Sequence, residues 1–375
     1  MKTKLPLQHS ILIYFGLALV FNLQIINYFF EFNEGVVRGG ESLRQVLKFI
    51  SISMIYIFIV KPNKYIFKKN ILALGFFSIA LILILIRIPF FESRDWLFIN
   101  NFLAVPILMG STAKFNFKAI DQTLLVSFFL WVSLDFYNLQ NSNTIWGNKA
   151  FIGGVGNPSS YGLILIYLYE VSIKNLSHNK ITKRVLKALI FINLIMTQAL
   201  MPILIFLYLR FLRKGKQLFF VFISSIIIIY NLETVLFYMP GYHWKLKLES
   251  LLFFLNSSDT LGSSASILTR IDFLEDLFIL FENPKSFFIG NINNSFYNSG
   301  DSQYVTYATS FGVLLFLIFL CFIVKLVRDS YKTKYFNFFI ALSLILVTNR
   351  ILDYWPIPIL IYLTINRFYY ERRNS

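Results

Sequence analysis

Apolar residues in this chain run in long unbroken stretches and do not alternate with polar ones at the two-residue period of a half-buried strand. The stretches fall at about 9–30, 45–60, 71–88, 96–112, 120–138, 159–173, 185–198, 199–212, 217–233, 303–324, 335–349 and 354–367. Each approaches the roughly 20 residues that a helix needs to cross a hydrocarbon core. The pattern therefore predicts an all-α, polytopic integral membrane protein: one membrane domain over 1–375 with about 12 transmembrane helices. One connection is long, 233–302, between the ninth and tenth spans.

Composition agrees, with 57% hydrophobic and only 14% charged residues in 375, far from the soluble average. Charge then orients the chain. Lys174, Lys180, Lys183, Arg184 and Lys187 precede 185–212, and Arg210, Arg213, Lys214 and Lys216 close it. Positive loops stay cytoplasmic, so both clusters remain inside only if two short segments turn back at "TQALMP", Thr197 to Pro202. That topology puts both termini in the cytoplasm and the long loop outside, and most Lys and Arg fall on the inner side. The net charge of +16 is then accounted for by orientation and by anionic inner-leaflet lipid, so nucleic acid is not an expected partner. The N-terminal 1–30 reads as a retained signal anchor, its apolar run being too long for a signal-peptide core.

Several chemistries drop out. The single Cys321 lies inside a span, and His9, His178 and His243 are far apart, so a His/Cys metal site is not expected. No phosphate-loop motif is present. The glycine-rich "GGVGNPSSYG" (153–162) lacks the strand, helix and lysine context of one, and reads as a tight turn entering the next span.

The loop 233–302 carries more acids than bases, and long loops are often functional. Within it, 266–281 reads as an amphipathic helix stopped before Pro284. On a helical wheel Arg270 sits at the middle of the apolar face, with Phe273, Leu274, Leu277 and Phe281 around it and Asp272, Glu275 and Asp276 opposite. An arginine there either snorkels to headgroups and loop carbonyls or waits over a cavity for a phosphate.

The order Thr-Arg, amphipathic helix, "ENPKSFFIGN" (282–291), polar break, "GDSQYVTYATSFGVLLFLIFL" (300–320) resembles the large periplasmic loop and following helix of Wzy-type O-antigen and capsular polysaccharide polymerases, which share a superfamily with O-antigen ligases. Pro284 to Gly290, Asp301, Ser302, Tyr304 and Gly312 carry the resemblance. Asp301 stands where ligases usually show His, and "TQALMP" lacks an arginine usual at that turn, which Arg87, Arg94 or Arg350 would replace.

The resemblance implies a bacterial inner-membrane glycosyltransferase. Such an enzyme moves a glycan from an undecaprenyl diphosphate carrier to a lipid-linked repeat unit, without metal or cofactor. A chain-length regulator and a flippase are the implied partners. Arg270 would bind diphosphate, and Asp301 would be a base or sugar-orienting group. Asp301 reads equally as a cap or first-turn acid of the next helix. Arg350 reads as substrate contact or as a salt bridge to Asp353, and Arg87 and Arg94 share that ambiguity with Glu92 and Asp95. Tyr304 and Tyr307, on one helical face, are candidate saccharide contacts. An O-antigen ligase and a flippase for lipid-linked oligosaccharide are the alternative functions, although no two-fold internal repeat typical of transporters is visible.

Overall fold

The computed structural model describes residues 7–25, 32–33, 36–37, 41–58, 61–91, 98–111, 117–140, 150–176, 179–212, 278, 280–290 and 302–374. These are overwhelmingly helical. The first half contains α1 (Leu7–Asn22), α2 (Glu41–Phe58), α3 (Lys64–Lys69), α4 (Ile71–Arg87), α5 (Ile99–Leu108) and α6 (Phe117–Gln140). Next come α7 (Pro158–Tyr167), a π-helical turn at Leu168–Ser172, α8 (Ile173–Leu176), α9 (Lys180–Met196) and α10 (Leu200–Leu207). Within the long loop lies α11 (Pro284–Ile289), and after it follow α12 (Gln303–Phe311), α13 (Val313–Ser330), α14 (Phe336–Thr348) and α15 (Ile357–Asn374). Two-residue strands β1 (Phe32–Asn33) and β2 (Val36–Val37) pair antiparallel, as do β3 (Lys61–Pro62) and β4 (Gly110–Ser111).

The all-α expectation holds. Among the described residues, two helical segments, Ile71–Phe90 and Phe117–Tyr137, are long and apolar enough to cross a membrane, and other apolar helices, such as Ile99–Leu108 and Phe336–Thr348, are shorter. The fold centres on helices buried nearly all round: Ser160 to Tyr167 of α7 and Ile357 to Tyr369 of α15 are all buried. Such helices are the interior of a bundle.

The segment 185–212 is indeed two helices. Gln198 takes φ +52 and Ala199 is extended, ending α9. Phe191 and Phe206 then meet with ring centroids 5.5 Å apart, and Lys187 and Arg210 both lie over the Tyr169 ring, at 4.7 and 5.9 Å. Residues so distant in sequence meet only if α10 folds back on α9. The glycine-rich stretch behaves as a packed turn. Asn157 caps α7 by accepting from Ser160 N (3.0 Å), Pro158 occupies the first helical position, and the Asp135 carboxylate accepts from Gly153 N (3.0 Å).

The expected span 303–324 is different. It is broken at Gly312, which takes φ +86 and ends α12 before α13 begins. The break leaves α12 carbonyls without helical partners. Arg87, at the end of α4, donates through Nη1 to Ser310 O and through Nη2 to Ile289 O (2.8 Å), so one buried guanidinium holds the C-terminal ends of α12 and α11. The two backbones touch here: a Cβ on Gly312 would sit 2.4 Å from Phe288 O, and one on Gly290 2.4 Å from the Ser310 carbonyl.

Gly312→Ala combines a left-handed backbone, costing roughly 1–2 kcal/mol for an L-residue, with that collision. We expect the detergent-solubilised variant to melt well below wild type in a thermal-unfolding assay. An unchanged melting temperature would show that α11 does not pack against the break.

Candidate functional site

Polar side chains are gathered at the two ends of the bundle, and α15 runs between them. At the first end, Asp121 of α6 is fully buried and fully engaged. It accepts from Ser172 Oγ (2.9 Å) and Tyr167 OH (3.2 Å) on one oxygen, and from Asn175 Nδ2 and Arg367 Nη1 (both 2.9 Å) on the other. Arg367 also holds Glu371, which pairs with Lys334 at 2.9 Å. Burial pushes the Glu371 carboxyl up, but the bonds and charges of Lys334 and Arg367 outweigh it and hold the group below its ordinary value. With every carboxylate oxygen of Asp121 matched to a donor, this cluster is a brace.

The second end is less complete. Here α14 ends and the chain turns through Asn349 to Trp355 into α15. Arg350 Nε donates to Asp353 Oδ2 at 2.8 Å, Nη2 lies 2.8 Å from the same oxygen, and the guanidinium covers the Phe98 ring at 5.2 Å. Gln303, the first residue of α12, accepts from Leu352 N at 3.0 Å. Asn100 donates to Asp353 O (2.7 Å) and accepts from Lys48 Nζ (3.1 Å), bringing a lysine from within α2 into the same cluster. Lys48, Asn100, Asn101, Gln303 and Asp353 are all buried.

This second cluster has hydrogen-bonding capacity that the protein does not use. Asp353 Oδ1 and Gln303 Nε2 have no hydrogen-bond partner among the described residues. Gln303 lies close enough to Asp353 to favour its charged form without a well-formed bond. Burial pushes the Asp353 carboxyl above its ordinary 3.8, and Arg350 opposes that rise. Unmatched buried polar atoms are costly, and here they sit beside a buried Arg–Asp pair and a buried lysine, which makes this end the candidate site.

The sequence-based candidates fall into two groups. Arg270, Asp301 and Arg94 lie outside the described residues, as do Glu92 and Asp95. The cap of α12 is Ser302, whose Oγ accepts from Val305 N at 3.3 Å. Of the expected amphipathic helix at 266–281, the described residues are helical, with Leu280 buried and Phe278 and Phe281 exposed. The helix stops at Asn283, which caps α11.

Among the described candidates, Arg350 is in the cluster. Arg87 is spent on Ser310 and Ile289 carbonyls, an engagement that suits a structural clamp and not an expected phosphate contact. Tyr304 packs edge-on against Phe316 and Phe319, and Tyr307 is buried among Phe76, Phe311 and Phe319. Tyr307 therefore has no open face for a sugar, whereas Tyr304 is partly exposed. Lys48, Asn100, Asn101 and Gln303 were not singled out from sequence. Lys48 had a legible signal, an ionisable residue within an apolar run, whereas the asparagines and Gln303 had none.

Arg350→Gln leaves Asp353 buried opposite a neutral group, and losing one partner of a buried pair costs roughly 3–5 kcal/mol. Arg350→Gln with Asp353→Asn should recover at least half of that loss in thermal unfolding. Because the raised Asp353 carboxyl binds its proton more tightly in the folded chain, its contribution to stability falls as pH rises from 3.8 through its raised value and is level above. The advantage of the double variant over Arg350→Gln should therefore grow from acid toward neutral pH. A constant advantage would mean that Asp353 is not the group left stranded.

No family model, curated protein or solved structure matches this chain.

Proposed function

We propose that this chain is a polymerase of bacterial surface polysaccharide, embedded in the inner membrane by about twelve spans with both termini cytoplasmic. Its outer surface supports the membrane part of the reading. Ile82, Leu85, Val126 and Ile192 are more than half exposed, while charged and amide groups lie inside. That is the reverse of a soluble protein, and large apolar side chains exposed on several helices call for a lipid or protein cover.

The observation that carries the catalytic part is the Gln303–Leu352 hydrogen bond. It ties the start of α12, two residues after Asp301, to the turn bearing Arg350 and Asp353. The polymerase-like segment and a buried cation thus share one end of an apolar bundle, which becomes the extracytoplasmic end in the proposed topology.

The reaction joins an acceptor hydroxyl on one lipid-linked repeat to the anomeric carbon of a glycan on undecaprenyl diphosphate. A carbon–oxygen bond forms, the bond to diphosphate breaks, and the hydroxyl proton passes to a base. Arg270, Arg350 and Lys48 would hold the charge that develops on the departing diphosphate, the role for which guanidinium and ammonium groups in a dry site are suited. Asp301 would receive the hydroxyl proton or orient the sugar. The donor is already activated, so the scheme needs no nucleotide.

The test is a gel of surface polysaccharide from a strain lacking the native chain, complemented by wild type, Arg350→Lys, Arg350→Ala or Arg270→Ala at matched membrane levels. Removing one charge-stabilising group in such a site costs about a hundredfold or more. Both alanine variants should therefore collapse the ladder to a single repeat unit, with Arg350→Lys intermediate. A full ladder in the strain lacking the chain would sink the polymerase reading, and loss of all glycan attachment would move it to ligase or flippase.

A further inference from the structure

At the Arg367 end of the bundle, a cavity of about 540 Å3 opens between the β3–α3 corner and the last turn of α15. Pro62, Asn63, Lys64, Tyr65, Lys68 and Arg373 line it. Three of these are cations and none is an acid. The acids of this end are already taken, Glu371 by Lys334 and Arg367 and Asp329 by Arg328 and Arg372. Lys64, Lys68 and Arg373 form no ion pair among the described residues.

The corner is held in place, so these charges are gathered by the fold. Asn63 accepts from Tyr65 N (2.8 Å) and Ile66 N (3.4 Å), and Pro62 pairs with Gly110 across the β3–β4 contact. Asn70, just after α3, donates to Leu108 O and to Asn366 Oδ1 of α15, both at 3.1 Å. Arg373 and Lys69 both lie over the Tyr65 ring, at 5.4 and 5.7 Å. Gathered like charges repel one another, and an anion between them removes that cost. Exposed Phe67 and Ile71, on α3 and at the start of α4, put apolar surface beside the cations.

We propose that this pocket holds the phosphate of an anionic phospholipid headgroup, with its acyl chains along the apolar flank of α3 and α4. The proposal rests on the membrane part of the function above and is independent of its chemistry. Basic pockets at the ends of membrane helices suit such headgroups. Free phosphate would use the cations but not the apolar flank, which is why the lipid is the occupant.

The purified, delipidated full chain would be mixed in detergent with phosphatidylglycerol or phosphatidylcholine at equal mole fraction, and bound lipid counted by native mass spectrometry. Wild type should prefer phosphatidylglycerol. The triple variant Lys64→Gln, Lys68→Gln, Arg373→Gln should lose about tenfold or more of that affinity, with phosphatidylcholine unaffected. The charge-matched triple Lys180→Gln, Lys183→Gln, Arg184→Gln should keep it. Equal loss in both triples would reduce the effect to net charge and overturn the site. Displacement of phosphatidylglycerol by millimolar inorganic phosphate would overturn the headgroup assignment. A full polysaccharide ladder from a chain with no lipid preference would sink this site and leave the polymerase reading standing, and a clear preference in a chain dispensable for the ladder would do the opposite.

Discussion

A helix that ends inside an apolar bundle exposes carbonyls to surroundings without water, and each needs a donor from the protein. The Gly312 break creates this need, and Arg87 meets it. The guanidinium can reach two carbonyls at once because its donors are spread in a fixed fork; it takes Ser310 O from α12 and Ile289 O from α11. The chain leaving the long loop is thereby fastened to α4. With its C-terminal end pinned, α12 presents its first residue, Gln303, to the turn between α14 and α15. The position of the candidate site thus depends on a clamp at the far end of α12.

The two ends of the bundle show what buried charge can be used for. Around Asp121 each oxygen has donors, and the arrangement ties α6, the π-helical turn and α15 together. Such a network specifies packing and offers nothing to a ligand. Around Asp353 an arginine, a lysine and amides are again present, but Gln303 and the carboxylate keep unused atoms. The difference lies in whether each carboxylate's own oxygens are matched and not in composition, so a count of charged residues in the spans would not separate brace from site.

Local features were legible in the sequence and distant ones were not. The turn at Thr197 to Pro202 followed from two basic clusters that had to share a side, and the Phe191–Phe206 contact fits it. The apolar runs at 71–88 and 120–138 correspond to the two helical segments of the described residues that are long and apolar enough to cross a membrane. The Gly312 break was hidden, because one glycine in an apolar run is compatible with a continuous helix. Only the φ of +86 and the contact with Phe288 explain why glycine is required there. The meeting of Lys48, Asn100, Gln303 and Arg350 joins residues from four distant parts of the chain, which no local spacing encodes. The surroundings of Tyr307 were hidden for the same reason: periodicity put Tyr304 and Tyr307 on one face, but it could not say that Phe76 and Phe319 would pack against Tyr307.

The geometry of the Arg350–Asp353 pair gives the carboxylate a more active part than the sequence did. Two guanidinium nitrogens converge on Oδ2, so the pair is not the fork-to-fork arrangement that would use both oxygens. Oδ1 remains as an acceptor near the Gln303 amide, whose oxygen is held by Leu352 N and whose nitrogen is unmatched. A buried carboxylate with one oxygen anchored is fixed in direction, and burial raises its proton affinity while the anchoring cation limits the rise. Those are the properties of a group that can receive a hydrogen bond from a sugar hydroxyl and draw on its proton. In the proposed reaction Asp353 would therefore share with Asp301 the role of orienting the acceptor, and Arg350 would both aim the Asp353 carboxylate and place positive charge where diphosphate departs.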